Sequence, residues 1–192
     1  MLWSGQYEYM EKARQTLNII LPVTILLIFV LLFFHFKNIA ESAIVMASLP
    51  FALVGGVWLL YLLDYNLSVA VVVGFIALAG VAVEIGVVML VYLNQAWQRV
   101  NVDRHGKPNF DDLKEAVVNG ALLRVRPGMM TVAAIIAGLL PIMLGTGTGS
   151  EVMRRIAAPM VGGMVSATLL TLVIIPAVFM LWKKREIGKK SK

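Results

Sequence analysis

Glu84 is the residue whose type and position most call for chemistry. It lies in Gly80-Val-Ala-Val-Glu-Ile-Gly-Val-Val-Met89, well inside a long apolar run, and no other ionisable residue sits so deep. An acidic residue at the centre of a membrane helix costs about 2.5–3.5 kcal/mol on insertion scales, and each Leu, Ile, Val or Phe returns roughly 0.3–0.6 kcal/mol. The run holds 14 or more such residues, so it still inserts. The carboxylate then needs a partner or water. An intramembrane acid is by default part of a proton or ion pathway; the plainer alternative is a protonated, hydrogen-bonded structural glutamic acid. Ala77, Gly80 and Glu84 share one helical face by their spacing, and Ala70, Gly74, Ala82 and Gly86 line an adjoining face. Small residues let helices approach closely, so Glu84 is expected to face protein rather than lipid.

Other chemistry-bearing residues argue for less. His35 and His105 fall at the edges of apolar runs, far apart, with no triad or zinc spacing around them. Each reads as a solvated or interfacial histidine, and an enzyme is not expected. There is no cysteine, which excludes disulfides and Cys-ligated metal. The eleven methionines read mainly as flexible core fillers; Met160 and Met164 share a face at i+4 and are expected to pack. Gly145-Thr-Gly-Thr-Gly149 is a turn-rich loop, not a phosphate loop, since no Gly-Lys-Ser/Thr follows.

The elements that must position Glu84 follow from composition. Of the 192 residues, 59% are hydrophobic and only 15% charged, where a soluble domain carries about 25% charged residues. The excess is gathered into five apolar runs, at 17–36, 43–63, 67–93, 128–145 and 156–182. Each approaches or exceeds a spanning length once tilt is allowed. The fold class is therefore an all-α membrane protein, a bundle of five transmembrane helices. Pro22, Pro50, Pro141, Pro159 and Pro176 sit within or near the ends of spans, where membrane helices tolerate them. Residues 1–16 form a pre-membrane segment without the features of a secretory signal.

Charge sets orientation. Lys37, Arg99, Arg104, Lys107, Lys114, Arg124, Arg126 and the basic tail over 183–192 place thirteen Lys and Arg on one side; Lys12, Arg14, Arg154 and Arg155 place four on the other. By the positive-inside rule the N-terminus is outside and the C-terminus cytoplasmic. The net charge of +6 thus reads as topology, not nucleic-acid binding. The 94–127 connector carries a helix start at Asn109, with Asp111 and Asp112 at the positive helix end. Phe110, Leu113, Val117 and Ala121 recur at helical spacing, and Pro127 marks the next boundary. This predicts an amphipathic helix over 110–125, lying on the inner membrane face or, equally, in a soluble loop.

Several stretches together resemble a known family. They are Trp3-Ser-Gly-Gln, Pro50-Phe-Ala-Leu-Val-Gly-Gly56, Gly74-Phe-Ile-Ala-Leu-Ala-Gly-Val-Ala-Val-Glu84, Leu123-Arg-Val-Arg-Pro127, Gly147-Thr-Gly-Ser-Glu-Val-Met153, Arg155-Ile-Ala-Ala-Pro-Met160 and Gly162-Gly-Met-Val-Ser-Ala-Thr168. In this order they resemble the C-terminal end of a resistance-nodulation-division exporter of the heavy-metal type, most closely the copper/silver-exporting group. The resemblance covers nearly the whole chain.

What it implies goes beyond what periodicity gives. Members are much longer and work as homotrimers in the bacterial inner membrane, with a periplasmic adaptor and an outer-membrane channel. They drive substrate outward with inward protons. Glu84 matches the proton-relay glutamate of copper/silver members, where drug-exporting relatives have lysine. Thr131 matches a threonine near the relay. Met153 matches a methionine that the copper/silver group uses in a thioether path, a soft ligand suited to Cu(I) and Ag(I). The relay aspartate would lie in an N-terminal half, and Met1-Leu2 running straight into the Trp3 motif suggests a truncated fragment. One position departs from the pattern: Gly128 stands where copper/silver members commonly have lysine. The implied function is proton-driven efflux of Cu(I) or Ag(I), these cations being substrate and protons the coupling ion, with no resident cofactor. A proton-coupled multidrug exporter and a non-transporting membrane scaffold are the alternatives; Glu84 in place of lysine speaks against the first.

Overall fold

The structure, a computed structural model, describes residues 3–103 and 109–190, with side chains described except at 3–7, 9, 10, 170 and 188–190. Arg104, His105, Lys107 and Lys192 of the sequence reading lie outside the described residues. Five helices follow in order: α1 (Trp3–Phe36), α2 (Ile39–Leu62), α3 (Val69–Asp103), α4 (Phe110–Leu144) and α5 (Ser150–Lys190). Among the described residues four helical stretches are long and apolar enough to cross a membrane: Glu11–Phe36, Ile39–Leu62, Val69–Asp103 and Phe110–Leu144. A fifth is obtained when the two arms of α5, Ser150–Leu169 and Thr171–Ile187, are taken as one span bent by 40°. The bend falls between Leu169 and Thr171, in the stretch between Pro159 and Pro176.

Local chemistry sets the turns. Lys37 takes a left-handed conformation (φ 52°) directly after α1, and the Asn38 side chain then caps α2 by accepting from the Ala40 N–H at 3.0 Å. At the far end of α2, Asp64 (φ 55°) bonds back to the Tyr61 carbonyl at 3.3 Å and Tyr65 to the Leu60 carbonyl at 3.0 Å. These two bonds form a Schellman closure, with Asp64 in the position glycine usually fills. Asn109 starts α4 as the sequence predicts, through a reciprocal capping box with Asp112.

The largest departure from the sequence reading is in α4. The sequence separates a helix over 110–125 from a span over 128–145, with Pro127 between them. The structure instead runs one helix unbroken from Phe110 to Leu144. Packing holds its first turns in line. Leu113, Ala116 and Val117 are buried in one cluster with Leu90, Leu93 and Trp97 of α3 and Phe179 of α5. The segment is thus continuous with the fourth apolar stretch rather than a separate helix, and it docks on equally extended neighbours.

Lipid tails are as apolar as leucine, so close packing rather than the hydrophobic effect holds such helices together. A tight crossing joins α2 to α5. A Cβ on Gly162 would lie 2.5 Å from the Gly55 carbonyl oxygen, and one on Gly55 would strike Ser166. Only glycine permits this approach. Two buried hydroxyls bond to their own helix: Ser48 donates to the Val45 carbonyl at 2.6 Å and Thr168 to the Met164 carbonyl at 2.7 Å. Met164 is fully buried, as its expected packing role requires. By contrast α1 is peripheral. Leu32 is its one buried hydrophobic among the described residues, and Ile19, Leu26, Leu31 and Phe34 are exposed.

Candidate functional site

The sequence singles out Glu84, Thr131 and Met153; the structure places two of them beside one packed layer and the third at one end of the bundle. The middle packed layer contains Ala82 and Ile85 of α3, Val132 of α4 and Met164 of α5. Glu84 and Thr131 each neighbour a residue of this layer in sequence, so both border it. They are not bonded to one another. The Thr131 hydroxyl donates to the Pro127 carbonyl at 3.1 Å, and the Glu84 carboxylate has no hydrogen-bond or ion-pair partner among the described residues.

Glu84 does not find its expected protein neighbour among the described helices of this chain. The adjoining small-residue face is sealed as predicted: Gly74, Ala82 and Gly86 are buried. Glu84, however, is exposed in this chain, together with Val73, Ile76 and Gly80. The reason is geometric. Residues 82, 85, 86 and 89 turn toward α2, α4 and α5, and Glu84 falls outside that arc. The region around it is open: a Cβ added at Gly80 would meet nothing within 4 Å, and the same holds at Gly128. Thr131 is exposed as well. A carboxylate and a hydroxyl bordering one layer, each on an outward face bordered by an open glycine, can serve protein that packs there or a hydrated path.

Met153 is 56% exposed in the first turn of α5. The loop ahead of it is tied down. Gly149 turns in the left-handed region (φ 85°), Ser150 donates its N–H to the Gly147 carbonyl at 3.1 Å, and the Arg154 guanidinium donates to the Gly145 carbonyl. The thioether therefore sits on a stapled turn with its sulfur accessible. No cluster of three or more His, Cys, Asp or Glu able to hold a metal occurs among the described residues.

Two features escaped the sequence reading. Arg124 serves there only as a topology charge, yet its Nε is buried without a hydrogen-bond partner among the described residues. Glu41, in the first turn of α2, is only 8% exposed and accepts from Asn94 Nδ2 of α3 at 2.7 Å. Glu41 reads in sequence as an acid ahead of a span; nothing in the spacing announces an amide 53 residues away.

Taken together, the chain is a helical bundle of long apolar helices with an isolated carboxylate on an open face. The model of the AcrB/AcrD/AcrF family matches residues 1–183, and this chain belongs to that family. The cation efflux system protein CusA of Escherichia coli K12 is 53% identical over 190 residues, which are 98% of this chain and 18% of that protein. The putative cation efflux system protein SilA of Salmonella typhimurium is 53% identical over 192 residues, and the cobalt-zinc-cadmium resistance protein CzcA of Cupriavidus metallidurans is 39% identical over 186. The crystal structure of a heavy metal efflux pump (crystal form II) superposes with a TM-score of 0.80 at 40% identity, covering 93% of this chain and 16% of that one. The chain thus spans under a fifth of the length of these relatives.

Proposed function

We propose that this chain is the C-terminal membrane part of a proton-driven pump exporting Cu(I) and Ag(I) across the bacterial inner membrane. The observation that carries the reading is Glu84: an exposed carboxylate without a partner, at mid-span height, in a chain 53% identical to two cation efflux proteins. An acid so placed is stable in a bilayer only with water or with protein from elsewhere in the pump. Protonation of Glu84 removes its charge and its demand for that partner. The two states therefore favour two packings of the bundle, and a proton gradient biases the exchange between them. Thr131, bordering the same layer, supplies a hydroxyl to the path, and Met153 offers an accessible soft sulfur to a monovalent metal at the bundle's end. The homotrimer, the periplasmic adaptor, the outer-membrane channel, an external N-terminus and a cytoplasmic C-terminus belong to the same proposal.

The test is Glu84→Gln in the complete pump, which keeps the shape and removes the titration. Cells carrying it are expected to lose silver and copper resistance while membrane levels of the protein stay unchanged. Full resistance in that variant would remove Glu84 from the mechanism.

A further inference from the structure

At the end of the bundle that carries the α1–α2 turn and the basic end of α5, a cleft of about 440 Å³ opens between α1, α2, α3 and α5. Its volume lies within the usual range of small-ligand sites. Its lining is unlike the rest of the chain, for Glu41, Asn94, Gln95, Gln98, Asn101 and Lys183 all face it. The transport reading uses none of them.

The chemistry of the cleft is two-sided. Glu41 is more than nine-tenths buried, and Asn94 fixes its carboxylate from one oxygen only. Around it stand amide side chains, which offer further acceptor oxygens. Facing it is Lys183, with a side chain only 12% exposed, paired to Glu186 at 2.8 Å and lying 4.2 Å from the centre of the Trp182 ring. One such pairing occupies one of three ammonium donors, so Lys183 retains donors for an anion. Trp97 and Trp182 at this level mark the depth of an interfacial aromatic belt, and Lys184 and Arg185 follow at once toward water.

We propose that this cleft binds the phosphoethanolamine headgroup of a phospholipid in the adjoining leaflet. The primary ammonium donates to Glu41 and the neighbouring amides, and the phosphate is met by Lys183. The peripheral, mostly exposed α1 leaves the acyl chains a surface to follow. The match is one of charge placement: a buried acid, a nearly buried cation that also lines the cleft, and aromatic rings at headgroup depth. A free divalent metal is a poorer fit, since no cluster of three or more His, Cys, Asp or Glu able to hold a metal occurs among the described residues. The proposal stands independently of the pump mechanism.

The experiment is native mass spectrometry of the complete chain in mild detergent, titrated with phosphatidylethanolamine, its N-methylated series up to phosphatidylcholine, and phosphatidylglycerol. Charge-assisted hydrogen bonds to a buried carboxylate give an expected preference of about tenfold for phosphatidylethanolamine over phosphatidylcholine. Retention should fall stepwise as N–H donors are lost. Glu41→Gln still accepts from Asn94, and should erase the preference with helicity by circular dichroism intact. Lys183→Met should weaken both lipids alike and leave their ratio unchanged. Equal retention of the two lipids by the unmodified chain, stronger retention of phosphatidylglycerol, or a preference that survives in Glu41→Gln would each overturn the proposal. The N-methylation series on the unmodified chain decides the matter even if the variant misfolds.

Discussion

Two faces of α3, less than half a turn apart, meet different surroundings. On one, Gly74 lies against the Ile156 carbonyl and Pro159 of α5, Leu78 against Gly163 of α5, and Gly86 against Val45 and Ser48 of α2 and Ile175 of α5. On the other, Val73, Ile76, Gly80 and Glu84 face outward, with no neighbour of this chain around Gly80. Both faces carry glycine. Small size therefore does not itself reveal which face is closed: on the first it admits a neighbouring helix, and on the second it leaves room that this chain does not fill. Glu84 belongs to the open face.

The sharpest way to break this contrast is to fill each face in turn. Gly74→Leu must displace α5 backbone, because even its Cβ would come within 2.6 Å of the Pro159 ring. Overpacking of this kind costs about 3 kcal/mol. Gly80→Leu meets only open space and should change the stability of the isolated chain by less than ~0.5 kcal/mol. Reversible unfolding in mixed micelles measures both. A similar loss in the two variants would show that the outward face is packed after all.

A somewhat smaller effect tests whether the closed face continues beyond the apolar spans. Leu113 is fully buried in the layer that joins the first turns of α4 to Trp97 and Phe179. Leu113→Ala should cost about 2–3 kcal/mol, the usual penalty of a buried leucine. Leu122→Ala, at a position 62% exposed on the same helix, should cost under ~0.5 kcal/mol. The same unfolding assay distinguishes them. If α4 instead lies loosely on the membrane surface before Pro127, Leu113→Ala will be as mild as Leu122→Ala.

How much of this was legible in the sequence follows from what each signal measures. Hydropathy counts apolar residues over a window, so the spans and the all-helical class were readable. The capping pattern at Asn109 was readable because it is local, and so was the core position of Met164. Pro127 misled because proline reports a missing N–H, whereas the course of α4 is set by Leu113, Ala116 and Val117 packing against residues of α3 and α5. Periodicity places Gly74, Ala82 and Gly86 on one face, correctly, but it cannot say where that face ends or which helices meet Glu84. The Glu41–Asn94 pair and the polar cleft were invisible, since they depend on how α2 docks on α3. Motif order carried the family; no spacing rule would have chosen Thr131 or Met153.

The smallest predicted effect is the most informative about Glu84. With no partner among the described residues and an exposed side chain, Glu84→Gln should alter the stability of the isolated chain by less than ~0.5 kcal/mol, in contrast to a buried, paired acid. Thr131→Val should be nearly as mild, since its hydroxyl bonds only to the Pro127 carbonyl of its own helix. Unfolding of the chain in micelles would check both. A loss of several kcal/mol in Glu84→Gln would mean that the carboxylate is part of this bundle's own packing, and the outward face would no longer be open. A neutral result here, beside loss of export in the complete pump, would locate the work of Glu84 in contacts or water that the five helices alone do not supply.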